Sequence, residues 1–453
     1  RIYERAPVIA RFAESAYRFV ASHRTLFSRL TRWFWGAHVE RPNYVLTRSI
    51  FLRGLGLIYL VAFVSLWMQI GGLIGHDGIL PADQFMANVK QQCDAQGIGL
   101  ERFHLVPTLC WFTASDGFLH FQCAAGTVLA VLLVVDIAPA PCLALLWLLY
   151  LSLVTVGQDF YGFQWDNLLL EAGFPAIFLA PLHLVHRAYR RWVLKADTGP
   201  NQKFTCETPV PTIVLWLLRL LLFKLMFSSG CVKLLSGDPN WRNLTALTFH
   251  YQTQPLPTWL GWYANELPLW FQKLSCLATF AIEIGAPFLI FAPRRLRFIG
   301  CGAIISLQTL ILLTGNYTFF NFLTIALCLL LLDDFALQKM RPQNFLKKLI
   351  PVGAPGTAPA QMQCGSRLAG TVPGAPVHRW SKAVIVPLAV VIVSVSLLQI
   401  ASLFGARSSL WRPAAFLEAE LSPFRTVNSY GLFAVMTTTR NEIIVQGSND
   451  GVN

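Results

Sequence analysis

Charge is scarce in this chain. Only 13% of its 453 residues are Asp, Glu, Lys or Arg, against about 25% in a typical soluble domain. Hydrophobic residues make up 55%, and mean hydropathy is +0.51. The charge that exists lies between long apolar runs, which excludes an ordinary water-soluble fold. Recognisable chemistry is scarce too. There is no CxxC pair among the ten cysteines, no Walker loop, no dinucleotide fingerprint, no HExxH and no nucleophile elbow. The histidines show no metal-ligand spacing. No cofactor and no metal are implied. The net charge of +13 does not point to nucleic acid, because the basic residues cluster at the ends of apolar runs, where the positive-inside rule accounts for them. The lipid bilayer is the expected partner.

What is present is a series of spans. A transmembrane helix needs roughly 20 mostly apolar residues, and nine segments qualify: Ile50–Ile74, Phe118–Ile137, Cys142–Val156, Asn167–Val185, Thr212–Leu235, Leu274–Phe291, Phe298–Thr314, Tyr317–Leu332 and Ala383–Phe404. The third and eighth are short, and a re-entrant segment there would change the count. The expected fold is an all-α polytopic membrane protein of about nine helices, with the start of a small β-rich soluble domain at its C-terminal end.

Loop charges set the orientation. Arg187, Arg190, Arg191, Lys195, Lys203, Arg294, Arg295, Arg297, Lys339, Arg341, Lys347, Lys348, Arg379 and Lys382 fall in alternate loops. The intervening loops carry Asp77, Asp83, Asp94, Glu101, Asp116, Asp159 and Asp166. The N-terminus is therefore expected on the cytoplasmic side and the C-terminus in the lumen or extracytoplasmic space. Residues 1–49 read as a basic cytoplasmic amphipathic segment, too interrupted by charge for a secretory leader. Residues 50–335 read as a membrane domain of about eight spans, 336–382 as a cytoplasmic linker, 383–404 as the last span and 405–453 as an incomplete β-rich domain. In that last part Arg425–Thr438 and Asn441–Gln446 alternate as strands do, and a turn signal follows at Ser448–Gly451. Further β structure is expected beyond Asn453.

Charged and polar residues within or beside spans are functional suspects, because burying them in hydrocarbon is costly. The candidate intramembrane network is Arg53, Asp159, Asp166, Asn167, Glu171, Arg219, Lys224 and Glu283. Asn167 and Glu171 share a helix face. Two readings stay open: carboxylate–base pairs that staple helices, or a chemical site. Lys233, near a span end, is expected to snorkel to the interface. Asn243 begins a glycosylation sequon on the expected outside. Cys93 and Cys110 share an outside loop and are a candidate disulfide. The loop from Trp241 to Phe271, dense in Trp, Tyr and Pro, reads either as an aromatic belt or as a binding surface.

Several long strings carry a resemblance. They are Gly157-Gln158-Asp159-Phe160 with Gln164 through Phe174, Phe227-Ser228-Ser229-Gly230 with Lys233 through Pro257, Thr314-Gly315-Asn316-Tyr317 with Phe320-Asn321, and Asn428 through Phe433. Together they resemble the lipase maturation factor family from about Ile50 to the C-terminal end. The resemblance implies a protein of the endoplasmic reticulum membrane in animals, or of the cytoplasmic membrane in a bacterial relative. It implies secreted lipases as clients, brought to their folded, active form, and a C-terminal domain facing the lumen. It supplies no catalytic residues. Two alternatives remain: a membrane-embedded enzyme loosely similar to the helical domains of vitamin K-dependent carboxylases, which would bring the buried charges to one cavity, and a transporter, which would need inverted repeats.

Overall fold

The structure, a computed structural model, describes residues 7–36, 42–184, 209–254, 256–340, 380–406 and 412–440. The helices in chain order are α1 (Pro7–Ser22), α2 (Arg24–Trp35), α3 (Val45–Ile74), α4 (Ala82–Ala95), α5 (Asp116–Val134), α6 (Pro139–Val156), α7 (Gln164–Leu179), α8 (Thr212–Leu235), α9 (Pro239–Arg242), α10 (Ala246–Thr253), α11 (Trp259–Asn265), α12 (Leu269–Phe280), α13 (Arg294–Thr314), α14 (Phe320–Leu329), α15 (Asp334–Lys339), α16 (Lys382–Leu403) and α17 (Arg412–Leu421), with one further helical turn, Arg102–Leu105, between α4 and α5. Side-chain caps fix several starts. Asp238 accepts from Asn240 N–H at the head of α9, Thr258 from Gly261 N–H at α11, and Asp333 from Ala336 N–H at α15.

Among the described residues seven helical segments, not nine, are long and apolar enough to cross a bilayer: α3, α5, α6, α8, the run Leu269–Phe291 that begins with α12, α13 and α16. The third expected span is full length, with 18 residues in α6. The fourth and eighth are the short ones. α7 has 16 residues and α14 has 10, or about 24 and 15 Å at 1.5 Å per residue, against a hydrocarbon core of about 30 Å. Both are apolar because they lie inside protein. Leu168, Leu169, Leu170, Ala172 and Ala176 of α7 and Leu323 and Cys328 of α14 are fully buried. A helix apolar all round belongs to a protein interior as readily as to lipid.

The core runs through α3, α5, α6, α7, α8 and α14. Tyr59 and Phe63 of α3 pack edge-on against Tyr150 of α6, with centroids 6.0 and 5.5 Å away. The Tyr59 hydroxyl approaches α7 so closely that a Cβ on Gly173 would lie 2.1 Å from it. Only glycine fits at that crossing.

The segments sort to two ends of the bundle. At one end, Asp334 accepts from the N–H groups of Val45 and Thr47 at the start of α3, and Arg294 of α13 pairs with Asp333 at 2.5 Å. At the other end, Gln158 donates to Leu80 O at 3.1 Å, and His104 Nε2 lies 2.8 Å from Glu420 O. The loop after α3, the α6–α7 turn and the C-terminal segment therefore meet there.

The expected β tail is corrected. Residues 425–440 form no strand. Their backbone groups bond to loop and helix side chains instead, and Val427, Tyr430 and Met436 are the apolar side chains buried against the helices. Asn441–Gln446, the turn at 448–451 and linker residues 341–379 lie outside the described residues. The expected Cys93–Cys110 disulfide is also corrected, since both are free, buried thiols. Cys110 packs in the main core and Cys93 does not, which leaves them in separate surroundings.

Candidate functional site

α8 carries three buried cations, and each meets a different partner. Lys224 is 1% exposed, Arg219 and Lys233 2%. Lys224 and Lys233 are nine residues apart, about two and a half turns, so they point to opposite sides of α8.

Lys224 faces α7. Its Nζ lies 2.5 Å from Glu171 Oε1 and 3.2 Å from Gln399 Oε1 of α16. The other carboxylate oxygen, Glu171 Oε2, accepts from Asn428 N–H at 2.8 Å, Asn428 Nδ2 at 3.1 Å and Tyr430 O–H at 2.8 Å. Gln399 Nε2 donates on to Glu418 Oε1 of α17 at 2.9 Å. Arg425 Nη1 donates to Asn167 Oδ1 at 2.7 Å, one turn before Glu171. One ion pair thus joins α7, α8, α16, α17 and the C-terminal segment. Beside Glu171 lies a cavity of about 10 Å³ lined by Ser396 and Thr426 among others. That is room for one water, not for a substrate.

Lys233 faces α12. Its Nζ lies 2.7 Å from Glu283 Oε2 and 2.9 Å from Oε1, and it also donates to Ser229 O at 3.1 Å. Glu283 sits on a π-helical turn, Ala281–Gly285, with a 3-10 turn after it. Pro287 has no N–H to offer the Glu283 carbonyl, so the regular ladder must fail here. The facing residue is Gly230, where a Cβ would lie 2.6 Å from Ile284 and 2.9 Å from the Glu283 side chain. Lys233 does not snorkel, which corrects the sequence expectation. It also sits 5.4 Å from the Trp241 ring. Trp241 Nε1 donates to Phe433 O at 2.8 Å, and Asp238 Oδ2 accepts from Met436 N–H at 2.6 Å. The C-terminal segment is held here a second time.

The other expected residues divide. Asp166 is buried and accepts from Tyr150 O–H at 2.6 Å. Arg219 caps the end of α14, with Nη2 2.8 Å from Leu330 O, and stacks near Tyr44 and Trp216. Asp159 is exposed on a 3-10 turn, and its side chain has no hydrogen bond or ion pair among the described residues. Arg53 is half-buried, and its Nε has no partner among the described residues. Asn243 is exposed at the C-cap of α9. The eight residues do not converge on one cavity. Sequence reasoning missed Gln399, Glu418, Asp238 and the roles of Asn428 and Tyr430. Gln399 was legible as the lone amide of the last span, and Asn428 and Tyr430 lay in a quoted string.

Above the second pair, His250 Nε2 is 3.1 Å from Tyr317 O–H. Burial first, and the nearby Lys233 second, push the His250 pKa down to about 4, so it is neutral near pH 7. A groove of about 400 Å³ opens beside it between α10 and α11, walled by Tyr251, Pro257, Trp259 and Trp262. Trp259 is 89% exposed.

Comparison with known proteins adds the following. The family model described as "Lipase maturation factor transmembrane domain" matches residues 46–339. The chain is 46% identical over 296 residues to lipase maturation factor 2 of Gallus gallus, covering 63% of this chain and 38% of the relative. It is 43% identical over 299 residues to lipase maturation factor 2 of Homo sapiens, covering 64% and 40%. To lipase maturation factor 1 of Mus musculus it is 32% identical over 419 residues, covering 91% and 67%. The match spans about two fifths of the length of the first two relatives. No solved structure matches.

Proposed function

The chain belongs to the lipase maturation factor family, and on that basis we propose that it assists secreted lipases to their folded, active form from within a membrane. The observation that carries the reading is the double anchoring of the C-terminal segment, on the Glu171–Lys224 pair and on Asp238 and Trp241, the latter packed on Lys233 of the second pair. It gives the membrane domain the role of a rigid platform that presents surfaces at one end. Those surfaces are the acid-containing loop after α3, the Trp259–Trp262 groove and the C-terminal segment. The end bearing Arg294, Arg295 and Lys339 is cytoplasmic by the positive-inside rule, which puts the presenting end in the lumen of the endoplasmic reticulum or its bacterial equivalent.

The enzyme reading is less well supported. Glu171 and Glu283 are each held by a lysine, Glu171 accepts three further hydrogen bonds on its other oxygen, and the cavity beside Glu171 has room for one water. A closed ion pair of this kind orients helices.

The test is co-expression of a secreted lipase in cells lacking their own maturation factor. The chain should raise lipase activity per mass of secreted lipase, with little change in the mass itself. Unchanged specific activity overturns the proposal.

A further inference from the structure

The N-terminal helices take no part in the site above, yet α2 has a distinctive three-sided surface. Phe27, Thr31 and Phe34 are half-buried, and α2 packs on α13. At about 100° per residue, these three occupy one sector. Leu26, Leu30 and Trp33 fall in a neighbouring sector, roughly 100° around the helix, and are 52%, 41% and 59% exposed. Arg24, Thr25, Ser28, Arg29, Arg32 and Trp35 fill the remaining side and are exposed. An apolar stripe therefore lies beside the protein-facing side, and a basic stripe lies opposite.

The charge is one-sided. Within residues 7–36 the only acid is Glu14, and it is bound to Arg18 at 3.1 Å. The side chains of Arg24, Arg29 and Arg32 have no hydrogen bond or ion pair among the described residues. α2 ends at Gly36, whose φ of +87° turns the chain against the first turn of α13, within 3.8 Å of the Arg294 and Arg295 side chains for an added Cβ. Arg294 is committed to Asp333. Arg295 is exposed, and its side chain has no hydrogen bond or ion pair among the described residues. Next to it, Phe291 and Ile299 are 50% and 61% exposed, so the apolar stripe of α2 continues the lipid-facing surface of the bundle.

We propose that α2 is an anionic-phospholipid anchor. Leu26, Leu30 and Trp33 enter the acyl layer of the leaflet at the arginine end, while Arg24, Arg29, Arg32 and Arg295 hold acidic headgroups. The apolar area supplies depth and the arginines supply selectivity, the division expected of an interfacial helix. The anchor is independent of any client.

The test uses the full chain in nanodiscs of phosphatidylcholine mixed with phosphatidylglycerol. Eight of the ten cysteines are buried; the other two, Cys206 and Cys364, lie outside the described residues and are replaced by serine, and a spin label is placed at Leu30→Cys or Ser28→Cys. Position 30 should be relaxed by oxygen, as in hydrocarbon, and position 28 by a water-soluble nickel complex. Lipids co-purifying with the unlabelled chain should be enriched in phosphatidylglycerol, and R24Q/R29Q/R32Q should lose that enrichment by about tenfold or more. Equal nickel accessibility at both positions overturns the proposal. So does protection of position 30 from both relaxants, which would mean a second copy or another protein covers the stripe. Unchanged phosphatidylglycerol enrichment in the arginine variant also overturns it, and that measurement needs no label.

Discussion

Glu171 holds Lys224 with one carboxylate oxygen, at 2.5 Å, and the C-terminal segment with the other. The membrane helices and the segment beyond the last span are therefore one mechanical unit. Removing one partner of a buried pair strands the other charge, at a cost of about 3–5 kcal/mol.

A double-mutant cycle follows from that geometry. Glu171→Gln and Lys224→Met should each destabilise the detergent-solubilised protein by about 3 kcal/mol or more. The double variant should recover much of the loss. The amide nitrogen introduced at position 171 would face Gln399 Oε1, the acceptor that Lys224 vacates, and the amide oxygen would still face Asn428 and Tyr430. Thermal unfolding of the four proteins checks this. Additive losses would mean that the two residues are not coupled.

Gly230→Ala should be costly for a different reason. The new methyl meets Ile284 and Glu283 inside normal contact distance, where the π-helical turn delivers the carboxylate to Lys233. Overpacking of this kind costs about 1–3 kcal/mol. Faster proteolysis of the C-terminal segment should accompany the loss of melting temperature, because Lys233 and Trp241 hold the Phe433 end.

His250 makes the anchoring pH-dependent. Its pKa is about 4 in the fold and 6.5 in its absence. The unfolded chain therefore binds the proton first as pH falls. The contribution is full above 6.5 and is lost between 6.5 and about 4, roughly 3 kcal/mol in all. Stability measured across that window should fall more steeply in wild type than in His250→Gln. Parallel curves would contradict the assignment.

Orientation has its own check. Expressed in an animal cell, the chain should carry an endoglycosidase-sensitive glycan that disappears in Asn243→Gln. A wild-type chain without a glycan at Asn243 would argue against a lumenal loop after α8.

Much of this architecture was legible in the sequence, and its failures have definite causes. The seven long helices announce themselves by length and apolarity. α7 and α14 announce themselves equally, because Leu169 or Leu323 would look the same facing lipid as facing protein. Glu171 and Lys224 were singled out by their cost in hydrocarbon, but nothing local says that residues 53 apart should touch. Lys233 was misread because proximity to a helix end normally means escape to water. Here a π-helical turn on another helix brings it a carboxylate. The tail at Arg425–Thr438 has the alternation of a strand, and only the donors and acceptors of Glu171, Asp238 and Trp241 show where its backbone bonds go.

Under the proposed function the buried pairs hold a platform for lipase maturation and do no chemistry themselves. The direct measurement is lipase activity per secreted mass from cells expressing wild type, E171Q/K224M or no factor. Activity with the double variant close to wild type, and above the no-factor level, is the predicted result. A fall to the no-factor level while the C-terminal segment remains as protected from protease as in wild type would contradict it.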